Sequence, residues 1–199
     1  EPNLEMFIHV TKDGFGAIGH VDICYKGRII SFGNYDTNSE RLFGAMGDGV
    51  LFSADREKYI EFCKRENHKT LLGYGLALSP EQLAAVDKEI AKLMSLTVPW
   101  DPPKTVKPKR PGIDKEEPMY AYKLKQEADG RLYKFTSSKF KTYFVMSTNC
   151  VLLADTIVGA AGTDILSVRG FISPGTYQDY LDKEFERPHS LVVTKRVYQ

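Results

Sequence analysis

The stretch Gly19-His20-Val21-Asp22-Ile23-Cys24-Tyr25-Lys26-Gly27-Arg28-Ile29-Ile30-Ser31-Phe32 holds two β-prone runs joined by a Lys-Gly pair, the pattern of a hairpin closed by a two-residue turn. We read the hairpin over residues 17–32. With Lys26-Gly27 as the loop, Tyr25 pairs with Arg28 and the ladder runs back to Asp22 opposite Ser31. Side chains alternate along a strand, so His20, Asp22, Cys24, Ile29 and Ser31 share one face.

Upstream, Met6 to Val10 reads as a strand ending at a turn, Lys12-Asp13-Gly14-Phe15-Gly16. Downstream, 37–49 reads as an irregular loop and Val50 to Phe52 as a short strand. Ser53 is the expected cap of a helix through Asp55 to Glu66, on which Tyr59, Ile60, Phe62 and Cys63 recur at helical spacing. Thr70 to Ala77 is a further strand. Ser79-Pro80-Glu81-Gln82 combines a cap, a first-turn proline and a capping-box glutamine, and Leu83, Val86, Ile90 and Leu93 continue the apolar stripe. The proline-rich segment 98–118 reads as an extended connector or flap outside the core. Tyr120 to Phe135 alternates around Asp129-Gly130 like a second hairpin, and Lys139 to Met146 is another β-prone run. A helix is expected from Cys150 to Gly159, capped by Thr148-Asn149 and stopped at Gly162. Ser173-Pro174 opens a last short helix, followed by a strand from Leu191 to Val197.

With 199 residues, 42% hydrophobic and 27% charged, the chain has the balance of one globular domain, not of a disordered or collagen-like polymer, and the strands and helices read above make α+β the expected class. Its apolar runs fall short of the roughly 20 residues of a membrane-spanning helix. A formal charge of +1 argues against nucleic acid as a partner, and the basic run Lys104 to Arg110 reads as a solvated linker. The widely spaced Cys24, Cys63 and Cys150 fit neither a disulfide framework nor a paired-cysteine zinc site, and no cofactor or metal is expected. Gly14-x-Gly16 and Gly47-x-Gly49 lack the setting of a phosphate loop and read as turns. The start at Glu1 suggests a segment cut from a longer protein.

Cys150 is the candidate nucleophile. A cysteine in the first turn of a helix faces unpaired backbone N–H groups and the positive end of the dipole, which favour thiolate. An imidazole beside it would take and return the proton. His20 sits on a strand next to Gly19, which lets backbone or substrate come close; His9, His68 and His189 read as structural. Cys24 is the rival thiol, but a mid-strand position gives it no dipole and burial is expected.

The segment GHVDICYKGRIISF resembles the histidine hairpin of NlpC/P60-type papain-like cysteine hydrolases, and NCVLLADTIVG is similar to the family's nucleophile helix. His20 precedes Cys150 in the chain, so the resemblance is to the circularly permuted branch, which includes amidases and acyltransferases. The order of segments over residues 17–160 also resembles the periplasmic domain of bacterial lipoprotein transacylases: Phe32-Gly33-Asn34-Tyr35-Asp36, then Leu76-Ala77-Leu78-Ser79-Pro80-Glu81, then Tyr143 before Asn149-Cys150. Secreted peptidoglycan-cleaving effectors use similar permuted domains.

The resemblance implies a papain-like antiparallel sheet with the Cys150 helix packed on it, and Asp36 as the group that orients His20. Ser31 and Asn34 rank behind Asp36, and Asp22 is an alternative on His20's own face. Tyr143 and Asn149 are expected to position the site. The expected activity is a Cys150-His20 hydrolase cutting amide bonds in bacterial peptidoglycan, periplasmic or secreted, with a cognate immunity or inhibitor protein as a possible partner. The alternatives are an acyltransferase on lipids or lipoproteins and a non-catalytic interaction module.

Overall fold

A computed structural model describes residues 1–10, 19–67, 70–107, 111–112, 114–162 and 173–199. The strands are β1 (Leu4–Val10), β2 (His20–Tyr25), β3 (Arg28–Gly33), β4 (Met46–Asp48), β5 (Val50–Asp55), β6 (Thr70–Leu76), β7 (Thr97–Pro99), β8 (Thr105–Val106), β9 (Glu117–Pro118), β10 (Arg131–Phe135), β11 (Thr142–Phe144) and β12 (Val192–Tyr198). The helices are α1 (Arg56–Asn67), α2 (Pro80–Ser95), α3 (Tyr120–Glu127), α4 (Cys150–Gly159) and α5 (Pro174–Glu186). Eight strands form one antiparallel sheet in the order β12-β6-β1-β2-β3-β5-β10-β7, while β4 with β11 and β8 with β9 form two small ribbons. The fold is α+β.

Alternation along the strands sends side chains to two cores. Leu4, Met6 and Ile8 of β1 and Val21 and Ile23 of β2 meet one core with α2, α4 and α5. Phe7, Cys24, Ile29 and Phe52 meet the other with α1 and α3. Each buried Leu, Ile or Val contributes about 1.5–3 kcal/mol, so the helices are held chiefly by these faces. No helix among the described residues is long and apolar enough to cross a membrane.

The hairpin register is the expected one: Tyr25 pairs with Arg28, Cys24 with Ile29 and Ile23 with Ile30, and the ladder stops there, one pair short of the expected Asp22 opposite Ser31. Lys26 and Gly27 have φ of +51° and +75°, as a type I′ turn requires. On the other side β1 pairs with β2, setting Phe7 opposite Asp22 and His9 opposite His20. The capping box is also formed: Ser79 Oγ accepts from Gln82 N at 3.2 Å and Gln82 Oε1 accepts from Ser79 N at 2.8 Å. Ser79→Ala should therefore cost about 1 kcal/mol and lower Tm by roughly 2–4 °C, measurable by thermal circular dichroism.

Several elements differ from expectation. Ser53 lies inside β5, and the first turn of α1 is capped instead by Asp55, whose carboxylate accepts from Lys58 N at 3.0 Å. Tyr120 to Glu127 is a helix, because Ala121, Leu124 and Ala128 recur at three- and four-residue spacing and are buried on the second core. The proline-rich segment is no mere connector: β7 extends the main sheet, and Val106 and Met119 reach the second core. Residues 37–49 hold two 3₁₀ turns and then β4, so Gly47 is a strand residue. The run from Lys139 begins as a 3₁₀ turn and only then becomes β11. The turn Lys12 to Gly16, His68 and the Pro108 to Arg110 end of the basic run lie outside the described residues.

Candidate active site

Helix α4 lies across β2 and β3, with Val151, Leu153, Ala154, Ile157 and Val158 buried beneath it. Its start is fixed by Asn149, whose Oδ1 accepts from Leu152 N at 3.1 Å while its Nδ2 donates to the Val145 carbonyl at 3.1 Å. Asn149 thus acts on the helix start and places Cys150 in the first turn. The N–H groups of Cys150 and Val151 have no intrahelical acceptor there. Cys150 is 4% exposed.

His20 is the first residue of β2, and Cys150 lies near enough to act electrostatically on its ring. Gly19 before it passes so near β1 that a Cβ would stand 2.8 Å from the His9 carbonyl oxygen, the close approach this glycine was expected to allow. His20 Nε2 stands 2.6 Å from Ser31 Oγ and 2.6 Å from Asp22 Oδ1. The contact with Oδ1 is an ion pair whose angle falls short of a hydrogen bond, and that buried oxygen has no other partner. Ser31 in turn meets Tyr35 Oη at 2.9 Å. The expected shared face of His20, Asp22 and Ser31 is therefore real.

Asp22 is fully buried, and its second oxygen lies 2.5 Å from His9 Nε2 and 2.7 Å from Tyr59 Oη. Burial alone would raise the Asp22 pKa, but His20 and His9 beside it hold the carboxyl well below its ordinary 3.8. An ionised carboxylate only accepts, so His9 and Tyr59 donate to its Oδ2 while His20 faces Oδ1 as an ion pair. Burial pulls His20 down, but the Asp22 carboxylate and then Cys150 outweigh it and raise its pKa from 6.5 to about 10. The ring is an imidazolium at neutral pH.

Asp36, ranked first as the orienting group, is instead engaged elsewhere. Its carboxylate accepts from Asn38 N at 3.1 Å and pairs with Lys134 Nζ at 2.6 Å, capping a 3₁₀ turn. Gly33 ends β3 in regular pairing with Val50, without the bulge that would have turned Asp36 toward His20. Asn34 also falls away from the histidine, with Nδ2 donating to the Met46 carbonyl at 3.4 Å. Tyr143 packs on Phe32 with ring centroids 5.7 Å apart, and burial followed by the nearby Cys150 raises its pKa. Cys24 faces the second core, where burial, only partly offset by Arg56, pushes its pKa to about 12. It remains a thiol.

Sequence reasoning missed His9, Tyr59 and the hydroxyl of Tyr35. The available signal for His9 was its place on a strand of matching length just upstream of the hairpin, since antiparallel pairing of two such strands sets their histidines side by side. His9, His20 and Asp22 also put three possible metal-ligand atoms within 4.8 Å of one another. Two ligands of one zinc ion stand ~3.4 Å apart, whereas the two N···O separations here are 2.5 and 2.6 Å. The spacing is that of a hydrogen-bonded ion cluster.

Set against family models, curated proteins and solved structures, the chain gives no match in any of the three.

Proposed function

We propose that the protein is a cysteine hydrolase of the permuted papain-like type, with Cys150 as nucleophile, His20 as acid and base, and Asp22 as the orienting carboxylate. The meeting of a helix-start thiol with an imidazolium held by a buried carboxylate carries this reading. Nε2 of His20 is occupied by Ser31 and Asp22, which leaves Nδ1 for the sulfur. The Cys150 thiolate attacks the carbonyl carbon of an amide, and the oxyanion is held by the N–H groups of the first turn of α4. The imidazolium gives its proton to the leaving nitrogen as the C–N bond breaks and a thioester forms. Neutral His20 then takes a proton from water, hydroxide adds to the thioester, and the acid leaves as thiolate and imidazolium are restored.

The substrate class, a peptide amide of bacterial peptidoglycan, is supplied by the resemblance of the histidine hairpin and nucleophile helix. A second reading, acyl transfer from a lipid or lipoprotein, draws on one feature beside the nucleophile. Leu42, Phe43 and Met146 are exposed at one end of the β4–β11 ribbon, where Val145 N donates to the Ala45 carbonyl at 3.0 Å. Asn149 bonds the same Val145 and so ties this apolar lip to α4. Purified protein and Cys150→Ala should be incubated with peptidoglycan and, separately, with acylated lipoprotein. We expect new amine ends from peptidoglycan that vanish in the variant. Loss of acyl chains from the lipoprotein instead selects the second reading, and no turnover of either rejects both.

A further inference from the structure

The polar cluster does not end at the orienting carboxylate. Asp22 Oδ2 faces away from His20 and receives two donors, His9 from β1 and Tyr59 from α1. His9 is 4% exposed, and its ring meets that of His20 edge to face with centroids 5.0 Å apart. Two imidazoles therefore flank one carboxylate, the outer one buried. A lone buried carboxylate can rotate about its χ2 torsion, and when both lone pairs of one oxygen are taken by donors from separate elements that rotation is blocked.

We propose that His9 and Tyr59 are positioning residues that clamp Asp22 Oδ2, so that Oδ1 stays on His20 and the imidazolium stays beside Cys150. This rests on the hydrolase reading of the same site and extends it from three residues to five. The clamp spans β1, β2 and α1, so the second core reaches the chemistry through it. The other titratable groups around the cluster are Tyr35, Tyr120 and Cys63 on the second-core side and Cys150 on the other.

The test needs no substrate. Alkylation of Cys150 by iodoacetamide is followed across pH 5–10 with peptide mapping, which separates it from Cys24 and Cys63, and Tm is measured alongside. His9→Gln keeps an N–H near the place of Nε2, whereas His9→Asn ends short of it, and Tyr59→Phe removes only the hydroxyl. We expect His9→Asn to slow alkylation at pH 6–7 about tenfold and to move the rise of the profile with pH up by about one unit, the pH equivalent of that factor. Tyr59→Phe should do the same to a smaller extent, and His9→Gln should restore the wild-type profile. If the profiles stay unchanged while Tm falls, the two residues only hold the fold and the clamp is refuted. If wild-type Cys150 reacts only near the free-thiol pKa of about 8.5, the hydrolase reading falls and the clamp with it.

Discussion

Under the proposed hydrolase function, Asp22→Asn is expected to remove on the order of 10²–10⁴ of the turnover, while Asp36→Asn is expected to leave it largely intact. Asparagine keeps the shape of Asp22 but not its charge, and that charge is the leading force holding the His20 imidazolium against burial. Without it the ring titrates back toward 6.5 and the alkaline limb of activity moves down from about 10. The sign for stability follows from the two shifts. His20 has a raised folded pKa, so its contribution is complete below about 6.5 and lost as pH rises through about 10. Asp22 has a depressed one, so its contribution is present above 3.8 and lost as pH falls through its lower folded value. The variant also leaves the His20 imidazolium without its counter-charge, a loss of about 3–5 kcal/mol for a broken buried pair. Initial rates against pH, with thermal melts at pH 7, measure both effects. Equal losses in the Asp22 and Asp36 variants would overturn the assignment.

Gly49→Ala should be the most damaging single methyl addition in the described chain. Gly49 joins β4 to β5; its N–H donates to the Lys141 carbonyl at 2.9 Å and its carbonyl accepts from Phe135 N at 3.1 Å. A Cβ there would lie 1.7 Å from the Phe140 carbonyl oxygen, which is backbone and cannot swing aside. The 3₁₀ turn Lys139–Lys141 must then move, and β11 and the approach to Cys150 follow it. We expect a loss of about 3 kcal/mol, or roughly 6–12 °C in Tm for a chain of this size, together with weakened activity. Gly159→Ala is the matched control, because a Cβ at that position of α4 meets nothing within 4 Å. A Gly49→Ala melt equal to that control would show that the turn yields freely.

The parts that could be read from sequence are those in which local chemistry dictates geometry. Lys26-Gly27 set the hairpin register, Ser79 and Gln82 the start of α2, and Asn149 the start of α4. Cys150, His20 and Ser31 came together because each sits at a position its own element fixes. Asp36 was misassigned because its role hinged on a single residue of strand alternation at Gly33, and there the ladder stayed regular. Tyr120 to Leu124 alternates like a strand, yet the facing core accepts the three- and four-residue spacing of Ala121, Leu124 and Ala128. The partnership of His9 with Asp22 depends on which strands neighbour each other. No local pattern encodes that.

The two outermost strands also govern how the molecule behaves toward copies of itself. An open strand margin invites a further strand and, with it, fibrous association. On one border, β12 carries Lys195 and Arg196, whose charges repel an identical neighbour. On the other, β7 is three residues long and ends in Pro99, which has no amide hydrogen to offer. Both borders of the eight-stranded sheet thus carry features that disfavour the addition of a further strand.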